Sequence, residues 1–225
     1  MNGSLVAYLP LILKAAGTTL WLSWLAMLLG AAGGTAVAVL RMSRFWPLRV
    51  LALVYTEFWR SVPILIVLFF AYFGLPLVLG IDISPFAAAT LALALHASAT
   101  MSEVVRAGVA SVGRGQWEAA DSAGFSRVQA VRYVIAPQAI RVVLPPSMGV
   151  FITTLKESSL ASVIGYIELT KTGLLVREST DGGFAPLLAL AAIYFIINYA
   201  ISLVGGAMER RFHIGRRLEP VGGMA

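Results

Sequence analysis

Four long stretches of this chain carry no charged side chain: Ala15–Leu40, Ser61–Ile81, Ile83–Ser102 and Gly182–Met208. A run of about 20 apolar residues is what a helix needs to cross the hydrocarbon core of a bilayer. A fifth stretch, Val142–Ile167, is long enough but is interrupted by the adjacent pair Lys156–Glu157. Composition agrees, since 12% of the 225 residues are charged and 59% are hydrophobic, whereas a soluble domain carries roughly 25% charged residues. So little charge cannot cover a soluble surface, which excludes a soluble enzyme, a disordered chain and a fibre. The expected fold is all-α: a polytopic membrane protein of five transmembrane helices, a single transmembrane domain over residues 1–225. With no cysteine, the chain has no disulfide, thiolate metal site or cysteine nucleophile.

The net charge of +6 is an orientation signal, because Lys and Arg favour cytoplasmic loops. Arg41, Arg44, Arg49 and Arg60 lie between spans one and two; Arg106, Arg114, Arg127, Arg132 and Arg141 lie between three and four; Arg210, Arg211, Arg216 and Arg217 follow span five. Only Lys14, Lys171 and Arg177 fall on the other side. This distribution predicts an outside N-terminus and a cytoplasmic C-terminus. Met1–Leu13 has no basic residue before the first apolar run, so that run reads as a retained helix and not a cleaved signal.

The longest segment outside the spans, Glu103–Arg141, reads as helix, turn, helix. Gly113 and Gly115 interrupt the chain, and Gln116–Ala123 is a short helix. Gly124 suits a left-handed C-cap, Ser126 with Gln129 forms a capping box, and Pro137 ends the second helix. A basic loop lying on headgroups is one reading. Against it, Glu118 and Asp121 share a helix face that anionic lipid repels, beside the small residues Ala119, Ala120 and Ala123. Such a face suits docking into another protein.

Here the sequence resembles a known family. Glu118-Ala119-Ala120, three residues, Gly124 and then Pro137 is similar to the cytoplasmic EAA loop of bacterial ABC importer permeases, with Val134 and Ala136 in place of the usual Ile and Leu. The run from Gly115 to Ala120 resembles the polar-amino-acid branch (histidine, glutamine, arginine, opine). So do Gly17-Thr18-Thr19-Leu20, the segment Tyr55–Pro63 with Ser61 replacing a glycine, Glu103–Gly108 with Ala107 departing, Pro137-Gln138-Ala139, and Leu155–Leu160.

The resemblance implies a type I importer subunit in the bacterial inner membrane. It would pair with a second permease, the same or a related chain. Two cytoplasmic ABC ATPase subunits would bind ATP for it, and an extracytoplasmic amino-acid-binding protein would deliver substrate. This chain would hold no cofactor, no metal and no nucleic acid, and no catalytic residue is expected. It contains no G-x-x-x-x-G-K-[ST] phosphate loop, nor any Gly-Lys dipeptide. The implied coupling segment is 109–141, with Gln116, Trp117, Glu118, Ala119, Ala120, Asp121, Gly124 and Pro137 as its working residues.

Charge inside a span is costly, about 2.5–3.5 kcal/mol on insertion scales, and is usually paired or functional. Lys156, Glu157, Ser158 and Ser159 are therefore candidates for the substrate path, a lysine and a glutamate matching the two ends of a zwitterion. Adjacent residues do not share a helix face, so both reach substrate only at a helix break, and no Gly or Pro marks one there. A snorkelling lysine, an intersubunit ion pair and a span that ends at Leu155 are open alternatives. Glu57 with Arg60, and Glu103 with Arg106, stand at i, i+3 as local anchors or gates. His96 reads as a packing histidine, and His213 as solvated. Trp21, Trp24, Tyr72, Phe73 and Tyr194 read as interface belt or packing. Gly30, Gly33 and Gly34 suit close helix contact. A secondary transporter or channel would account for the spans but not for the docking loop.

Overall fold

The computed structural model describes residues 5–180 and 183–212; Arg216, Arg217 and His213 lie outside them. Among the described residues the fold is entirely helical. In chain order the helices are α1 (Leu9–Arg41), α2 (Trp46–Ser61), α3 (Ile64–Leu79), α4 (Pro85–Ala110), α5 (Arg114–Ser122), α6 (Arg127–Ile164), α7 (Leu169–Ser179) and α8 (Ala185–Arg211). Four of them, α1, α4, α6 and α8, are long and apolar enough to cross a membrane, and the bent pair α2 plus α3 makes a fifth if it counts as one span.

The bundle is organised around α1 against α4. Glycine makes the approach possible. A Cβ on Gly30 would stand 2.6 Å from the Cβ of Ala97, and one on Gly34 would stand 2.6 Å from both Met101 Cβ and the Ser98 carbonyl. The facing core is largely alanine, with Ala26, Ala38, Ala88, Ala89, Ala92 and Ala97 all buried. Lipid tails are as apolar as leucine, so helices in a membrane associate through such close packing and through interhelical hydrogen bonds. Two of those bonds tie α2 to α4: Tyr55 to Ser98 at 2.6 Å and Thr56 to Ser102 at 3.1 Å.

Three details depart from the sequence reading. First, the arginine-bearing stretch after α1 is itself a helix, α2, and not a loop. The second span is bent by 101° between Ser61 and Ile64. Pro63 forces Val62 into extended backbone (φ −81°, ψ 128°), so the helix cannot run through. Second, Gly115 does not interrupt α5, which starts at Arg114 with Gly113 as its N-cap. Third, Pro137 does not end a helix. α6 passes through it by means of a π turn at Val131–Ile135. A proline lacks the N–H for the ordinary bond and its ring crowds the carbonyl four residues back; a wider turn just before it gives the ring room. α3 uses the same device, a π turn at Phe70–Gly74 ahead of Pro76.

The connection after α6 also holds more order than its length suggested. The last two turns of α6, Ser158–Ile164, tighten to 3-10 geometry and close on Gly165 at φ +84°. The chain then turns back into α7, which packs on both α1 and α8. Gly173 faces Leu190 so closely that a Cβ there would fall 2.2 Å from its Cδ1.

Candidate functional site

The segment from α5 to the start of α6 forms as its local chemistry requires. Gly124 adopts φ +77°, a left-handed cap that costs glycine no Cβ clash. Phe125 N donates to the Ala120 carbonyl across it. Ser126 caps α6 reciprocally: its backbone N donates to Gln129 Oε1 at 2.8 Å, and Gln129 N donates to Ser126 Oγ at 3.4 Å.

Six of the eight residues expected to couple divide between two faces of α5. Trp117 is half-buried and packs with Val112, Ile135 and Ala139. Ala120 is buried, and Gln116 Oε1 accepts from Gln138 Nε2 at 3.0 Å. These three residues fasten α5 to α6. Glu118, Ala119 and Asp121 are exposed on the other side. Pro137 lies in α6 beyond the π turn, and Gly124 sets the angle between the two helices.

The charged pair inside α6 separates. Lys156 is exposed to a cavity of about 630 Å³ between α6, α7 and α8, whose walls also carry Ser159, Thr170, Tyr194, Asn198 and Ser202. Glu157 points into a different cavity, about 280 Å³, where its Oε2 lies 3.0 Å from His96 Nδ1. The helix change to 3-10 geometry falls directly after the pair, yet it does not bring the two side chains together. Ser158 is fully buried and lines neither cavity. Its hydroxyl donates to the Leu155 carbonyl, as that of Ser159 does to the Lys156 carbonyl. His96 is therefore a partner of Glu157 as well as a packing residue.

Behind the larger cavity stands Glu168, fully buried although it sits in what reads as a loop. It is the N-cap of α7. Its carboxylate accepts from Lys171 N at 2.8 Å, Thr170 N at 2.9 Å, Tyr194 Oη at 3.0 Å and Thr19 Oγ1 at 3.4 Å. Burial pushes this carboxyl above the usual carboxylate range, against the pull of those four donors. Tyr194 is thus no belt residue: its hydroxyl links α8 to Glu168 and to Thr170 at 3.0 Å. Asn198 donates Nδ2 to the Tyr194 carbonyl at 2.8 Å. Its Oδ1 is buried and, among the described residues, receives no donor. The sequence signal for Asn198 was available, since it is a lone amide inside an apolar span. Glu168 and Thr170 gave none, because only the return of α7 buries them.

At the arginine-rich end, Glu103 joins two helices. It pairs with Arg41 of α1 and accepts from Arg106 Nη2 at 2.8 Å and Nε at 3.0 Å. The expected local pair is therefore a three-residue bridge. Glu57 and Arg60 stand 3.9 Å apart, both exposed on α2. No group of three metal-ligating side chains gathers among the described residues.

A membrane bundle of four or five crossings, with one short two-faced helix between α4 and α6 and cavities along α6 that each hold a charged side chain, is the build of a transport subunit. Residues 30–214 match the family of binding-protein-dependent transport system inner membrane components, and the chain belongs to that family. It is a membrane-spanning permease subunit of the inner membrane. Among its relatives, the probable glutamine ABC transporter permease GlnM of Bacillus subtilis is 39% identical over 178 residues, 79% of this chain and 82% of that one. The glutamine transport system permease GlnP of Escherichia coli is 36% identical over 214 residues, 92% of this chain and 94% of that one. The crystal structure of an amino acid ABC transporter with histidines matches with a TM-score of 0.86 at 38% identity, covering 94% of this chain and 100% of that chain. An inward-facing structure of the MetNI methionine ABC transporter has a TM-score of 0.79 at 20% identity, covering 92% and 98%, and shares the fold.

Proposed function

We propose that this chain is the permease of an ATP-driven amino acid importer, that it docks its ATPase through the outer face of α5, and that substrate passes the cavity beside Lys156. The observation that carries the reading is the division of α5. One face is anchored by Trp117 and Ala120, and the other leaves Glu118, Ala119 and Asp121 exposed, with no partner among the described residues. A rigidly held helix with a free, small and acidic face transmits force when a partner moves it, in the manner of other rigid-body switches. Within one permease domain, 109–141 is then the coupling segment, on the cytoplasmic side with the C-terminus. A second permease, the ATPases that bind ATP and an extracytoplasmic binding protein complete the machine.

The cavity suits a zwitterion. Lys156 offers a cation for the carboxylate. Asn198 lines the same cavity, and its side chain, turned toward it, would offer an amide oxygen to the ammonium, which leaves Glu157 to its bond with His96. Reconstituted vesicles test both halves. Uptake with a binding protein should require the ATPase and ATP; uptake that persists without them would indicate a secondary transporter. Glu118→Arg should abolish uptake and stimulated ATP hydrolysis together while the chain still inserts. Lys156→Met and Asn198→Leu should each weaken uptake about 10- to 100-fold, the scale of a lost charged hydrogen bond, mainly through KM.

A further inference from the structure

A second large cavity, about 760 Å³, lies where the ends of α1 and α4 meet α5 and α6. Its walls are apolar at depth, with Val39 from α1, Val105 from α4, and Ile140 and Val143 from α6. Its rim carries Arg44 and Arg127, the latter with its guanidinium 5.5 Å from the centre of the Trp117 ring. No carboxylate lines it, and among the described residues neither arginine is paired with one. Val39, Val131 and Ile140 remain exposed in it.

We propose that this cavity binds an anionic phospholipid, its acyl chain between α1, α4 and α6 and its phosphate between Arg44 and Arg127. The apolar walls suit hydrocarbon. The two guanidiniums stand at the end of the spans, where headgroups lie, and guanidinium forks suit phosphate oxygens. Basic pockets between spanning helices on that face select anionic headgroups. Charge complementarity favours lipid over a protein occupant: a protein segment filling the apolar depth would still have to supply an acid at the rim, whereas an anionic lipid supplies both parts. Because Trp117 forms one wall, the lipid would touch the anchored face of α5 and leave its outer face open.

The test uses the full chain in lipid nanodiscs holding either phosphatidylglycerol or phosphatidylcholine with brominated acyl chains, at equal mole fraction. The quenching due to Trp117 is the difference between the wild type and Trp117→Phe. Phosphatidylglycerol should be preferred, about fivefold for each arginine. The double variant R44Q/R127Q should bring the preference to about one, while Arg49→Gln on α2, outside the cavity, should leave it intact and shows that the arginines at the rim matter and not the net charge. R44K/R127K guards against loss of fold and should keep part of the preference. Equal quenching by the two lipids overturns the proposal, and so does absence of Trp117-specific quenching, which would mean that protein fills the cavity. Neither result depends on transport, so the docking role of α5 stands or falls separately.

Discussion

Glu168 ties three helices together through one carboxylate. Thr19 of α1, Tyr194 of α8 and the first turn of α7 all donate to it. Removing acceptors from buried donors costs about 1–3 kcal/mol, and Glu168→Gln, whose amide nitrogen would face N–H donors, should destabilise by that order. The raised pKa adds a pH signature. The folded state holds the Glu168 proton to higher pH than the unfolded chain does, so its contribution to stability is most favourable below the unfolded value and falls as pH rises through the window between the two. Thermal unfolding followed across that window should show this slope in the wild type and a flatter one in Glu168→Gln; parallel curves would remove the assignment. No sequence pattern pointed to Glu168, since burial here is made by a segment that comes back, not by local periodicity. Lys156 and Glu157 were legible because charge inside a span stands out. Their separation into two cavities followed from helix geometry, but His96 as the partner of Glu157, 61 residues away, did not.

At the scale of elements, the long spans and the α5 turn were readable for different reasons. The spans show themselves by length and lack of charge. The turn shows itself by chemistry, because a left-handed glycine and a capping box each demand particular residues. Replacing Ser126 by Ala should cost about 1 kcal/mol through the lost cap, visible as lower protection of the first α6 amides in hydrogen exchange. Gly34→Leu should do more. Its side chain would meet Met101 and the Ser98 carbonyl, and overpacking of this kind costs typically 1–3 kcal/mol, to be seen as a lowered unfolding temperature in detergent. The helix α2 was hidden because its arginines resemble a loop, and the bend at Pro63 was hidden because the apolar run continues across it.

For the molecule as a whole, the arginine distribution predicts sidedness, and the chain is well suited to test it because it has no cysteine of its own. A single cysteine at Ser179, exposed on α7, should react with an impermeant maleimide added outside cells. One at Val128, exposed at the start of α6, should react only after permeabilisation. The reverse pattern would invert the topology and place α5 on the wrong side for an ATPase.

The π turn at Val131–Ile135 lies within the proposed coupling segment, between α5 and the part of α6 that carries Lys156. A wide turn amounts to one surplus residue in an otherwise regular helix, and one residue in an α-helix corresponds to about 100° of rotation. The bulge is therefore a phase setting: it fixes how the direction of α5 is registered against the direction of Lys156. Deleting one residue there should turn the segment holding Arg127 by about that angle relative to the cavity and bring the Pro137 ring back against the carbonyl that the wide turn now clears. A docking partner would then be presented with the wrong side of the joint.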